Sequence, residues 1–76
     1  MPNPKNFWTQ QRQDGKWESK REGADRPSKV TDTQAEAWKY SKEQAKDERG
    51  EAYLKGRDGL IRERNTYGKD PRSIPG

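Results

Sequence analysis

The central stretch of the chain, residues 33–50, reads TQAEAWKYSKEQAKDERG and decides the predicted fold. Thr33 and Glu36 have the spacing of a capping box, in which the threonine oxygen accepts a hydrogen bond from a backbone amide at the helix start. The helix is predicted from Gln34 to about Glu48 or Arg49, with Gly50 in the left-handed conformation beyond its end. Six positions fall within one helical arc and form the face expected to pack on a sheet: Gln34, Ala37, Trp38, Ser41, Ala45 and Glu48.

An Asp-Gly pair lies on either side of this helix, at Asp14-Gly15 and at Asp58-Gly59. Asp-Gly between two strand-like stretches is a strong signal for a hairpin with a two-residue type I′ turn. The strands are predicted over residues 6–13, 16–22, 51–56 and 60–65. The fold class is therefore α+β, a ββαββ chain in which two hairpins flank one helix that packs on one face of an antiparallel sheet.

The predicted turns fix which side chains share a face, because strand residues alternate between the two sides. In the first hairpin a two-residue turn places Trp8 and Trp17 on one side, which we expect to be buried. In the second hairpin it directs Ala52, Leu54 and Ile61 toward the core. The opposite, open side of that hairpin is then expected to carry Tyr53, Lys55, Arg57, Leu60, Arg62 and Arg64.

Composition limits the chain to one small domain with a thin core. Of the 76 residues, 24% are hydrophobic and 39% are charged, a balance close to that of disordered chains. The agreement between turns, caps and apolar positions favours an ordered domain over residues 6–67, with a flexible N-terminal tail (1–5) and an irregular C-terminal tail (68–76). A core this small is expected to provide only about 3 to 5 kcal/mol of stability.

The residue inventory argues against an enzyme. The chain has no His and no Cys, so it offers no imidazole base, no Cys or Ser-His nucleophile and no nitrogen or sulfur metal ligand from those side chains. Its 13 acidic residues mostly lie beside a Lys or Arg, as expected for solvated ion pairs. We expect no catalytic residues, no metal, no cofactor and no small-molecule substrate. No signal segment or membrane span is apparent, so the cytoplasm is the expected location.

Charge and aromatic side chains indicate two kinds of macromolecular partner. The formal net charge is +4, and its excess lies in the hairpins. A protein partner, or a second copy of the chain, is the first expectation, with contact residues Trp8, Trp17, Tyr40 and Tyr67. Nucleic acid is the alternative, with contact residues Tyr53, Lys55, Arg57, Arg62 and Arg64. A third reading makes the basic side chains a solvated face that keeps a small domain soluble and blocks edge pairing.

Several motifs in combination resemble one known family over most of the chain. They are Asp14-Gly15-Lys-Trp17, Lys20-Arg-Glu-Gly-Ala24, Asp32-Thr-Gln-Ala-Glu-Ala37, Gly56-Arg-Asp-Gly-Leu-Ile-Arg-Glu63 and Tyr67-Gly-Lys-Asp-Pro-Arg72. Together they resemble the small bacterial and phage-associated domain-of-unknown-function family 2188. The pattern of that family has a histidine in the first strand and another in the third, whereas this chain has none and carries Lys55 at the latter place. The resemblance implies a fold and no particular activity.

Overall fold

A computed structural model describes residues 3–68 as one helix packed on a mixed sheet of five strands in the order β3-β2-β1-β4-β5. The elements are β1 (Phe7–Gln11), β2 (Trp17–Arg21), β3 (Lys29–Thr31), α1 (Gln34–Glu48), β4 (Glu51–Lys55) and β5 (Ile61–Thr66). The α+β class and the two hairpins around a central helix agree with the sequence prediction. Of the predicted C-terminal tail, residues 69–76 lie outside the described residues, as do residues 1–2 of the N-terminal one.

The sheet differs from the prediction in having a fifth strand and one parallel pair. The short β3 adds to β2 antiparallel, and the chain then crosses through α1 to β4, which pairs with β1 in parallel. A helix in the connection is the usual way for a chain to return in the same direction. The predicted wholly antiparallel sheet is therefore wrong. Val30, in β3, remains 41% exposed.

The first hairpin has a three-residue loop, which corrects the predicted register. The Arg12 N–H donates to the Lys16 carbonyl and the Gly15 N–H donates to the Arg12 carbonyl. Within this loop only Gly15 has a positive φ, of 89°, so Asp14 avoids the left-handed conformation that a type I′ turn demands of both central residues. This shift of one residue in the pairing separates the two tryptophans that were predicted to share a face. Trp17 is buried under the helix, whereas Trp8 lies on the opposite face of the sheet.

The second hairpin uses the same kind of loop but then recovers the predicted register. Gly56 N–H donates to the Leu60 carbonyl, which slips the pairing by one residue so that Lys55 lies opposite Ile61. A bulge follows, in which Arg62 is the extra residue, and Leu54 then pairs with Glu63 as predicted. The predicted core position of Ile61 is therefore wrong, since it shares the open face with Lys55 and is 56% exposed.

The helix agrees with the sequence prediction at its start and along its buried face. The backbone N–H of Glu36 donates to Thr33 Oγ1 over 3.2 Å, and Ala37, Trp38, Ser41 and Ala45 are buried. At its end the prediction for Gly50 is wrong, because Arg49 adopts the left-handed conformation, with φ 60°. Gly50 serves close packing instead: a Cβ at this position would lie 1.8 Å from the Lys5 carbonyl oxygen.

The core lies between α1 and the face of the sheet that it covers. Five buried side chains form one cluster, with Tyr67 packed against it: Phe7, Trp38, Ala45, Ala52 and Leu54. Small residues of the helix allow the sheet to approach closely around the Trp38 indole. The helix thus covers one face of the sheet, and in the described part of the chain no element covers the other. No helix among residues 3–68 has the length and apolar character required to cross a membrane.

Candidate interaction face

The uncovered face of the sheet, here called the open face, is centred on two stacked aromatic rings. Trp8 in β1 lies beside Tyr53 in β4, with ring centroids 4.1 Å apart and ring planes inclined by 16°. Lys20 in β2 is directly opposite Trp8, and Arg64 in β5 is directly opposite Tyr53. One row across four strands therefore reads Lys20, Trp8, Tyr53, Arg64. Because the rings stack on each other, each has one of its two faces occupied and forms part of a ridge.

Carboxylates hold the polar ends of both rings. The Trp8 indole Nε1–H donates to Glu22 Oε1 over 3.0 Å, and the Tyr53 hydroxyl donates to Glu51 Oε1 over 2.6 Å. The hydrogen bond to Glu51, together with partial burial, raises the pKa of Tyr53 above its ordinary value. These bonds restrict the orientation of the two rings, so the ridge is organised before any partner arrives.

The basic side chains of the open face divide into paired and unpaired groups. Arg12 lies 3.3 Å from Glu18, and Arg64 lies 3.9 Å from Glu51. Lys55 Nζ lies 5.1 Å from the centre of the Trp8 ring, within cation–π range. Neither Lys20 nor Lys55 has a carboxylate within salt-bridge distance among residues 3–68. The face therefore mixes both signs of charge around an aromatic centre.

The predicted nucleic-acid residues do not all meet on this face. Tyr53, Lys55 and Arg64 lie on it as expected. Arg62 was predicted there but lies across Gly56 instead, where a Cβ on that glycine would be 2.2 Å from Arg62 Nε. The bulge is the cause, since it turns Arg62 toward a hollow at the helix start that Arg57 also lines. The five residues therefore form two separate groups.

The four predicted protein-contact residues also separate in the structure. Trp8 alone lies on the open face. Trp17 is only 5% exposed beneath the helix, Tyr67 packs against the core, and Tyr40 lies on α1 beside β3. Sequence reasoning missed Lys20 as a neighbour of Trp8. A three-residue loop at Gln13-Asp14-Gly15 would have paired them, because it places residues 8 and 20 opposite each other.

Glu22 gives the open face a measurable pH dependence. The Trp8 indole, the Asn3 backbone N–H and the Asn6 side-chain amide donate to its carboxylate and hold the pKa of Glu22 below its ordinary value of 4.5. A lowered folded-state pKa contributes stability that is present above the unfolded-state pKa and is lost as pH falls through the folded-state value. We expect wild type to be more stable than Glu22→Gln near neutral pH, and the difference to shrink below about pH 4.5.

Thermal unfolding of both proteins between neutral and acidic pH checks this expectation. Glu63→Gln is the matched control, because the Glu63 side chain is exposed and makes no salt bridge among residues 3–68. The control should stay close to wild type at every pH. A stability difference for Glu22→Gln that is the same at acidic and neutral pH would show that the ionised carboxylate is not what matters.

Residues that could bind a metal do not cluster: within residues 3–68 no three acidic side chains come together at a distance suited to one ion.

Comparison with known proteins identifies the family of this chain. No curated protein and no solved structure matches the chain. A family model described as an uncharacterized protein conserved in bacteria, DUF2188, matches residues 7–67. Since that match spans β1 to Tyr67 and most of the chain, the protein belongs to the DUF2188 family.

Proposed function

We propose that this protein is a small non-enzymatic binding module that takes a protein partner across the open face of its sheet. One observation carries the proposal: a stacked Trp8–Tyr53 pair stands at the centre of a sheet face that no other described element covers. Tryptophan and tyrosine are the side chains most enriched among the residues that dominate protein–protein binding energy. The partner is either another protein or a second copy of this chain.

The charges of the open face favour a protein partner over nucleic acid. Glu22 and Glu51 bond directly to the two aromatic side chains, and Glu18 is buried beside Gln10 and Arg12. A phosphate backbone would approach these carboxylates with a like charge on every nucleotide. A polypeptide offers backbone N–H groups and side chains of both signs, which match a mixed surface.

Site-specific photo-crosslinking tests the proposal in the cells that produce the protein. A benzophenone amino acid placed at Arg64 lies on the open face opposite Tyr53 and leaves the stacked pair intact, whereas one placed at Glu43 lies on the exposed side of α1. We expect a discrete protein adduct from position 64 that is absent from position 43. Adducts that are identical at both positions, or none from position 64, would contradict a partner site on this face.

Nucleic acid is the second candidate, because Tyr53, Lys55 and Arg64 do lie together on the open face. An aromatic ring beside two cations is the arrangement that single-stranded nucleic acid binds through stacking and phosphate contact. The same crosslinking experiment separates the two candidates. An adduct at position 64 that nuclease digestion removes but that survives digestion of partner proteins would favour this second function over the first.

The cellular setting of this binding function is part of the proposal. The family is conserved in bacteria, and the chain contains no cysteine, which fits the reducing cytoplasm. We propose a cytoplasmic location on that basis. An association with phages stays a prediction.

A further inference from the structure

A hollow of about 430 Å³ lies on the open face beside the Trp8 indole. Trp8 and Gln10 of β1, Lys20 of β2, Lys55 of β4 and the turn that begins at Glu22 line it. Arg21 lines it as well, but its guanidinium group pairs with Glu48 over 3.3 Å. The strands β2 and β4 flank β1, so the two lysines reach the hollow from opposite sides of the tryptophan.

Among the described cations of this face, the two lysines are the ones without a carboxylate partner. Arg12 and Arg64 are engaged by Glu18 and Glu51, whereas Lys20 and Lys55 make no salt bridge among residues 3–68. Lys55 is held above the Trp8 ring by a cation–π contact, with Nζ 5.1 Å from the ring centre. Its ammonium group is therefore positioned beside an apolar surface, where an ion pair is screened less than in open water.

We infer that this hollow binds the carboxylate side chains of an acidic segment of a partner protein, Lys20 and Lys55 pairing with them while the segment packs on Trp8. The inference rests on the proposed function and names the chemistry of the partner. Charge complementarity carries it: two ammonium groups that have no carboxylate partner among residues 3–68 flank one indole in one concave site.

The same hollow disfavours a phosphate chain because Glu22 forms part of its wall. That carboxylate accepts hydrogen bonds from Trp8, Asn3 and Asn6, and three donors stabilise its ionised form. Successive phosphates would meet this negative charge. An acidic peptide can place its carboxylates at the lysines and a neutral stretch of backbone at Glu22.

Binding of a labelled glutamate-rich peptide to the full chain, followed by fluorescence anisotropy at low salt, tests this inference. The comparison peptide has glutamine in place of each glutamate. We expect the double variant Lys20→Gln, Lys55→Gln to bind the glutamate peptide about tenfold more weakly than wild type, since two partly exposed ion pairs are lost together. The Trp8 indole N–H resonance should shift when the glutamate peptide binds to wild type.

The matched control is Lys39→Gln, Lys46→Gln, which removes the same charge from the exposed side of α1. Its affinity should change by less than about twofold, as expected for screened charges that lie away from the ligand. Equal weakening by the two double variants, no preference for the glutamate peptide, or tighter binding of oligothymidylate through Lys20 and Lys55 would each overturn the inference. A protein crosslinked at position 64 without binding of the glutamate peptide would support the proposed function and contradict only the acidic-segment inference.

Discussion

Replacement of Trp38 by alanine is expected to leave about half or less of the protein folded at room temperature. Trp38 is 8% exposed and is the largest side chain of the core cluster beneath α1. Removing a buried tryptophan costs about 3 to 5 kcal/mol, because apolar contacts are lost and a cavity remains. A domain of this size has about 3 to 5 kcal/mol of stability in total, so the expected loss is as large as the free energy of unfolding of the wild-type protein.

Urea unfolding, followed by far-ultraviolet circular dichroism, measures this effect. Trp38→Phe keeps an aromatic ring in the same place and should lose only part of the stability. Lys39→Ala, the next residue along and exposed on the outer side of α1, should unfold close to wild type. A cooperative transition for Trp38→Ala at the wild-type urea midpoint would show that the core does not depend on this side chain.

Ser41→Ala is expected to destabilise the protein by about 1 to 3 kcal/mol, although it removes only one oxygen atom. Three buried hydroxyl groups form a chain between the sheet and α1: Thr9 Oγ1 donates to Ser41 Oγ, and Ser41 Oγ donates to Ser19 Oγ, each over 2.6 Å. All three residues have no exposed surface. Without Ser41, two hydroxyl groups lose their partner in a place that water does not reach.

The matched control replaces the whole chain of hydroxyl groups, as Thr9→Val, Ser19→Ala and Ser41→Ala together. No polar group is then left unsatisfied, so the triple variant should be more stable than the single variant and close to wild type. Urea midpoints of the three proteins make the comparison. A single variant as stable as wild type, or a triple variant less stable than the single variant, would show that the hydroxyl chain does not act as a unit.

The helix could be predicted from the sequence because its signals are local. The capping box at Thr33 and Glu36 and the small residues of the buried face all act within a few turns. The end of the helix was different. Gly50 was expected to supply the left-handed conformation, but Arg49 adopts it, and Gly50 is required because the N-terminal segment at Lys5 passes close to its backbone. That close approach joins the N-terminal segment to the connection between α1 and β4, residues far apart in the sequence, which no local pattern shows.

Both hairpins could be located from their Asp-Gly pairs, but the loop length could not. Asp-Gly suits a two-residue type I′ turn as well as a three-residue loop that ends in a left-handed glycine. Both loops of this protein take the second form, with φ of 89° at Gly15 and 83° at Gly59. In the first hairpin the choice decides that Trp17 enters the core and Trp8 does not. In the second hairpin the loop shifts the pairing by one residue at Lys55 and Ile61, and the bulge at Arg62 restores the predicted register from Leu54 and Glu63 onward.

By itself, the sequence determined the α+β class, the helix with its buried face and the positions of two hairpins, because capping, turn and periodicity signals act between near neighbours. Only the tertiary structure decided the open face. Trp8 meets Tyr53 through the parallel pairing of β1 with β4, and Lys20 joins them through the length of one loop. Strand order and loop register depend on how the whole sheet packs against α1, so the residues of the candidate site become neighbours only in the folded protein.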